Sequence, residues 1–126
     1  MNLPPDSHLS NTKSYNLQDV VTMCRGNKDL VLNMVEVFID QIPKFITALN
    51  TAFIEKNRLN IKNEVHKIKP TVHFFGAFKL EEQLLLLNEK ALDALHETEV
   101  KVVVDKCNVL ASEVINELKS DYNLKK

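Results

Sequence analysis

Residues 64–77 read EVHKIKPTVHFFGA, and this stretch decides the predicted fold. In this stretch and just before it, apolar residues recur every three or four positions, the spacing that places them on one face of a helix: Ile61, Val65, Ile68, Val72 and Phe75. At about 100° per residue, a second set lies along one flank of the same helix: Lys62, His66, Lys69 and His73. The spacing predicts an amphipathic helix that presents an imidazole and lysines to solvent. A neutral imidazole fixed on a rigid helix is a nucleophile near physiological pH, so it can accept a group from a partner without a pocket of its own.

The composition predicts a single helical domain. The chain has 126 residues, of which 44% are hydrophobic, enough to fill one modest core. Only two glycines and four prolines interrupt it, which favours long helices over many short strands. Sixteen basic and seventeen acidic residues give a net charge of −1, which argues against a protein that coats nucleic acid or an anionic membrane.

The cysteines and the N-terminus predict a cytoplasmic location. Cys24 and Cys107 form no CxxC pair, and they are interpreted as reduced core residues. The first residues have neither a basic region nor an apolar run typical of a signal peptide. No stretch approaches the roughly 20 apolar residues that span a bilayer, so no membrane association is expected.

Apolar periodicity divides the chain into a short helix and four longer ones. Residues 1–14 are predicted to be a flexible arm, 15–122 the bundle and 123–126 a tail. Five helices are expected. The first runs from Leu17 to Cys24 with Asn16 as cap, and the second from Leu30 to Phe53 with a kink or break before Pro43. The third runs from Asn57 or Asn60 to about Gly76, the fourth from Phe78 to Leu95, and the fifth from Val100 to Leu118 after a turn at 96–99 capped by Thr98. Because each apolar stripe needs a partner, the fold predicted is an all-α, up-down antiparallel four-helix bundle with a short additional N-terminal helix.

Two segments of the chain resemble the histidine-containing phosphotransfer (HPt) domains of multistep two-component phosphorelays. The first is the run 65–70, VHKIKP, followed by Phe75-Gly76-Ala77, with His66 and Gly76 ten positions apart as in that family. The second is the turn and helix start at 26–30, followed by residues 34–38, which end at Phe38. The likeness extends from about Tyr15 to about Leu118, and agreement outside the short motif lowers the risk of a chance match.

The resemblance implies roles for particular residues. His66 is the implied phosphoacceptor and Lys69 the cation beside it that steadies the phosphoryl oxygens, a role that suits a compact ammonium. Lys62, one turn before His66, either assists or meets an acidic partner, although a solvated face is the simpler interpretation for Lys62 and Lys67. Asn88 lies where family members have an amide that hydrogen-bonds the imidazole, though its side chain is shorter than usual.

Two residues depart from the family pattern. Pro70 stands where glycine is usual, and because proline cannot donate to the carbonyl of His66, the helix is expected to bend or loosen there. His73 stands on the same flank as His66, where small residues are common. The two imidazoles are seven residues apart, about 10.5 Å along a helix, too far to share a metal ion. His73 is therefore interpreted as a rim residue of a docking surface.

The function implied by the resemblance is that of a phosphocarrier. His66 would take a phosphoryl group from the aspartate of a receiver domain, in a response regulator or hybrid sensor kinase, and pass it to another receiver. The chain has no P-loop or GxGxxG run, so no ATP-dependent kinase activity and no cofactor of its own are expected, the partner supplying a divalent metal such as Mg²⁺. A monomer is expected.

The alternative is a helical adaptor that binds receiver or kinase domains without carrying phosphate. A metal-binding bundle is disfavoured because Asn63 and Pro70 stand where Glu-x-x-His pairs need glutamate.

Overall fold

The computed structural model describes residues 13–92 and 97–124, and within these ranges all regular structure is helical. The helices are α1 (Gln18–Met23), α2 (Lys28–Ile54), α3 (Arg58–Phe74), α4 (Phe78–Lys90) and α5 (Glu97–Asp121). Among the long helices, α2 packs against α3 and α5, and α4 packs against the same two. The protein is therefore a helical bundle, with α1 packed on α2.

Asparagine side chains define where the first helices begin. Asn27 and Asn57 accept hydrogen bonds from the backbone N–H groups of Leu30 and Asn60, at 3.2 and 3.0 Å. Each thereby satisfies one of the four N–H groups that a helix start leaves free. Asn16 accepts from the N–H of Gln18 at 2.9 Å. Of the two candidates, Asn57 is therefore the cap of the helix that carries His66. The N-cap of α1 is Leu17, so the predicted cap at Asn16 is wrong by one residue, although the Asn16 side chain still binds the N–H of Gln18.

The core lies between the four long helices. Each contributes fully buried side chains, among them Phe38, Leu49, Val65, Leu84, Leu87 and Leu118. Phe38 of α2 stacks on Phe75 at the end of α3, with ring centroids 4.2 Å apart. Asn50 and Asn108 exchange two 3.0 Å hydrogen bonds between α2 and α5. Reciprocal amide bonds are satisfied only at one register, so this pair fixes how the two helices slide past each other.

Both internal prolines lie inside continuous helices. α2 runs unbroken through Pro43, so the predicted alternative of a break before it is wrong. α3 likewise continues through Pro70 to Phe74. Tertiary packing of a long apolar stripe outweighs the local cost of one missing N–H, because the buried side chains on both sides of each proline belong to the same core.

α5 begins earlier than predicted. Glu97 is already helical, so a turn at 97–99 and a cap at Thr98 are both wrong. Acidic side chains at Glu97 and Glu99 suit a first helical turn because they face the positive end of the helix dipole. α4 ends at Lys90, so Leu92 lies beyond it and is exposed. Leu95 and His96 lie outside the described residues.

The two residues before Tyr15 pack on α5, although they belong to the predicted arm. The backbone N–H of Ser14 donates to Glu117 at 2.9 Å, and Lys13 pairs with Asp121 at 2.9 Å. The hydroxyl of Tyr15 donates to the same Asp121 carboxylate. Lys13 and Ser14 therefore pack on the bundle, although the sequence predicts that they belong to the arm. The rest of the predicted arm (1–12) and residues 125–126 of the predicted tail lie outside the described residues.

The cysteines are unpaired and buried in the core. Burial raises the pKa of the Cys107 thiol to about 12, because the thiolate would lose its hydration there. Because both thiols are buried, neither is placed for nucleophilic chemistry. None of the helices described has the length and apolar character needed to cross a membrane.

Candidate functional site

His66 lies in the middle of α3 with its side chain exposed. Its neighbour Val65 is fully buried and holds the helix against the core, so the exposed ring stands on a rigid support. Among residues 13–92 and 97–124, no group hydrogen-bonds or ion-pairs with this imidazole. Both ring nitrogens therefore face solvent or a partner, as the helical spacing predicts.

Lys69 lies one turn after His66 on the same flank and is half-buried. Side chains three residues apart on a helix have their Cβ atoms about 5–6 Å apart, so the ammonium can reach a group attached to the ring. Within the described ranges, Lys69 has no ion pair or hydrogen bond. Its charge is therefore available to a bound anion.

The other two lysines of this surface have partners within the protein. Lys62 donates to the backbone carbonyl of Asn88, 3.5 Å away near the end of α4. That carbonyl is among the last four of its helix, which lack intrahelical donors, so Lys62 caps α4. Lys67 pairs with Glu64 at 3.2 Å. The Asn88 side chain is half-buried and forms no hydrogen bond with His66 in this structure.

His73 is held by the start of α4. Its Nδ1 lies 3.0 Å from both carboxylate oxygens of Glu81. The ring also meets the exposed Phe78 edge to face, with centroids 5.7 Å apart. The Glu81 hydrogen bond raises the pKa of His73 above its ordinary value, and the charges of Glu81 and of Asp19 on α1 add to the effect. His73 is nevertheless 61% exposed, so it remains accessible from solvent.

Gly76 is a structural residue at the turn between α3 and α4. Its φ of +67° lies in the left-handed region that favours glycine. A Cβ at this position would lie 2.3 Å from the backbone oxygen of Asn16. The N–H of Asn16 donates to the carbonyl of Phe75 at 3.1 Å, so the chain entering α1 lies directly on this turn. Gly76 thus permits the close approach that seats α1 beside the His66 helix.

An open apolar groove of about 510 Å³ begins one turn from His66. Pro70 and Phe74 line it from α3, and its other walls include Met23, Met34, Val37 and Phe38. This groove is not predicted by the sequence. Leu30 and Val37 occupy apolar positions of α2, yet they are 49% and 54% exposed. The sequence does contain an indication of an exposed apolar surface, because α2 has more apolar positions than one buried stripe requires.

The described part of the chain contains no group of three or more His, Cys, Asp and Glu side chains arranged to hold a metal ion. The chain matches no protein-family model, no curated protein and no solved structure. The likeness to HPt domains therefore rests on the residues quoted above.

Proposed function

We propose that this protein is a phosphocarrier of a His-Asp phosphorelay. The observation that supports the proposal is that side chains along one flank of α3 differ in whether they have a bonding partner. His66 and Lys69 have no partner within the described residues, whereas Lys62, Lys67 and His73 are each bonded to another residue. An exposed nucleophile one turn from an unpaired ammonium is the minimum that transfer of a phosphoryl group to the chain requires.

In the proposed cycle, a receiver domain presents its phosphorylated aspartate to His66. The lone pair of one imidazole nitrogen attacks phosphorus in line, forming the N–P bond as the bond from phosphorus to the aspartyl oxygen breaks. The aspartate leaves as a carboxylate, and the second ring nitrogen keeps its proton. Lys69 carries part of the charge of the phosphoryl oxygens. Attack by the aspartate of a second receiver reverses these changes.

The partner supplies the remainder of the catalytic apparatus in this proposal. Receiver domains bring a divalent metal such as Mg²⁺, and this chain brings neither a cofactor nor ATP-dependent kinase activity. The apolar groove beside Pro70 and Phe74, together with Lys69, forms the docking face. Such a face suits a small, transient interface. The proposal also places the chain in the cytoplasm as a monomer, away from membranes and nucleic acids.

The topology belongs to the same proposal. We assign an up-down antiparallel four-helix bundle, in support of which three-residue connections at 55–57 and 75–77 join helices that pack on each other. The first long helix, α2, also packs on the last, α5, which closes the bundle.

Transfer of radioactive label from a phosphorylated receiver domain tests the function. The wild-type chain is expected to acquire label that is lost in acid and kept in base, as expected for a phosphoramidate. His66→Gln is expected to acquire none, and His73→Gln, which removes the neighbouring imidazole, to retain it. Label that persists in His66→Gln would end the assignment to His66. Binding of receivers without label on any form would instead favour the adaptor.

A further inference from the structure

His73 carries a second inference, which rests on the proposed function. The residue lies seven positions after His66 on the same flank, about 10.5 Å along the helix, and is more than half exposed. Lys69 lies between the two histidines, one turn from each. A receiver that places its aspartate at His66 therefore also covers His73.

The bond to Glu81 determines what the exposed side of this ring offers. Because a carboxylate only accepts hydrogen bonds, Nδ1 carries the proton in the contact with Glu81. Nε2, on the far side of the ring, has no partner among the described residues. When the ring is charged, Nε2 also carries a proton and becomes a donor directed away from Glu81.

Phe78 completes this point of contact. Its ring is 53% exposed and meets the His73 imidazole edge to face, so an apolar surface lies beside the donor. Aromatic side chains are enriched at protein interfaces, so an exposed ring beside an oriented donor suits a docking contact. The pair stands on the first residue of α4 and the last turn of α3, both anchored by buried neighbours, Leu80 and Val72.

We propose that His73 and Phe78 form a specificity point, at which the Nε2–H of His73 binds a carboxylate at the edge of the receiver's phosphorylation site. Receivers with that carboxylate dock more tightly than receivers without it. The point does not touch the transferring phosphoryl group, so it acts on docking and leaves the chemical step unchanged.

The charged groups around the ring make this contact depend on pH. Glu81 from α4 and Asp19 from α1 favour the charged ring, and Lys69 on α3 is the nearest cation along the helix. Above the pKa of His73, Nε2 loses its proton and presents a lone pair that repels a carboxylate. The receiver should therefore bind more weakly as the pH rises through that pKa.

Calorimetric titration tests the inference. The probe is the unphosphorylated receiver domain that labels the wild-type chain fastest, with Mg²⁺, at about pH 6 and about pH 8. His73→Gln is expected to weaken binding about five- to tenfold at the lower pH and to flatten the pH dependence. His66→Gln removes the other imidazole and should keep that pH dependence. Lys101→Gln, which removes a cation from α5, should bind as the wild type does.

A kinetic comparison separates this inference from the proposed function. In single-turnover labelling at increasing concentrations of the phosphorylated receiver, His73→Gln should raise the concentration that gives the half-maximal rate and leave the maximal rate unchanged. If His73→Gln binds as tightly as the wild type, with the same pH dependence, the specificity point is refuted while the carrier function stands. If the wild-type chain neither binds nor accepts label from any receiver, the carrier function fails and the specificity point fails with it.

Discussion

Phosphoryl transfer to an imidazole requires a ring nitrogen with an available lone pair and a nearby cation to share the charge of the phosphoryl oxygens. His66 and Lys69 meet these two requirements, since the structure leaves both without partners in the described residues. Lys67 is closer to His66 in the sequence than Lys69 is, but it is paired with Glu64 on the surface. The lack of a partner therefore distinguishes Lys69, the proposed cation, from Lys67 better than distance along the sequence does.

Replacing Lys69 by alanine should slow phosphotransfer to His66 about 10- to 100-fold, because the phosphoryl oxygens lose their nearest positive charge. Single-turnover labelling from a phosphorylated receiver measures the rate. Lys67→Ala is the matched control, because it removes an exposed, paired lysine two residues away, and it should change the rate less than twofold. Equal slowing by both substitutions would mean that net charge, and not the position of Lys69, matters.

The His73–Glu81 pair should make a pH-dependent contribution to stability. Glu81 raises the pKa of His73 in the folded chain above its ordinary value of 6.5. The native state therefore holds this proton more tightly, and the stabilisation is fully present below about pH 6.5 and is lost as the pH rises through the raised value. NMR titration should give a midpoint for His73 above 6.5 that falls in Glu81→Gln. An unchanged midpoint in that variant would show that Glu81 does not hold the ring.

At the scale of the helices, α3 keeps its helical course through the residue where the family resembled has glycine. Proline at 70 has no N–H to donate to the carbonyl of His66, so the helix lacks one hydrogen bond at the proposed phosphoacceptor. The capping preference of asparagine predicted that Asn57 or Asn60 begins α3, and apolar periodicity predicted that α3 exists and that His66 faces outward. It could not predict that α2 and α3 continue through their prolines, because packing of the whole stripe decides that outcome.

Replacing Pro70 by alanine should raise the free energy of unfolding by about 1–3 kcal/mol, because alanine restores the missing N–H and fits a helix interior. Pro43→Ala, a matched change inside α2, should stabilise the chain similarly. Only Pro70 is one turn from His66 and lines the apolar groove, so only Pro70→Ala should alter the rate of phosphotransfer. Denaturant unfolding and single-turnover labelling measure the two effects. Loss of stability in Pro70→Ala would show that proline is favoured at this position.

At the scale of the whole molecule, contacts distant in sequence determine the surface around His66. Asn16 lies on the turn at Gly76, and Lys13 and Tyr15 bond to Asp121 near the end of α5. These contacts seat α1, whose last residue, Met23, forms one wall of the apolar groove. The helical class follows from apolar spacing. The apolar groove and the partners of Lys62 and His73 cannot be predicted from that spacing, because they depend on how separate helices pack.

Replacing Gly76 by alanine should lower the free energy of unfolding by about 2–5 kcal/mol, because the new Cβ would overlap Asn16 and the φ would be strained. Gly26 provides the matched control, with a φ of +75° but nothing within 4 Å of the added Cβ. Gly26→Ala should therefore cost only the strain of the left-handed conformation, about 1–2 kcal/mol. Denaturant unfolding measures both, and equal losses would show that the contact with Asn16 contributes nothing.

The position of the phosphoryl group on this chain tests the phosphocarrier function most directly. After mixing with a phosphorylated receiver domain, the chain can be digested and its peptides mapped by mass spectrometry at alkaline pH, which preserves phosphoramidates. The expected result is one added phosphoryl group, located on His66, that disappears when an unphosphorylated second receiver is added. A phosphoryl group located on any other residue, or none on the chain while the receiver loses its own, would contradict the assignment of His66 as the phosphoacceptor.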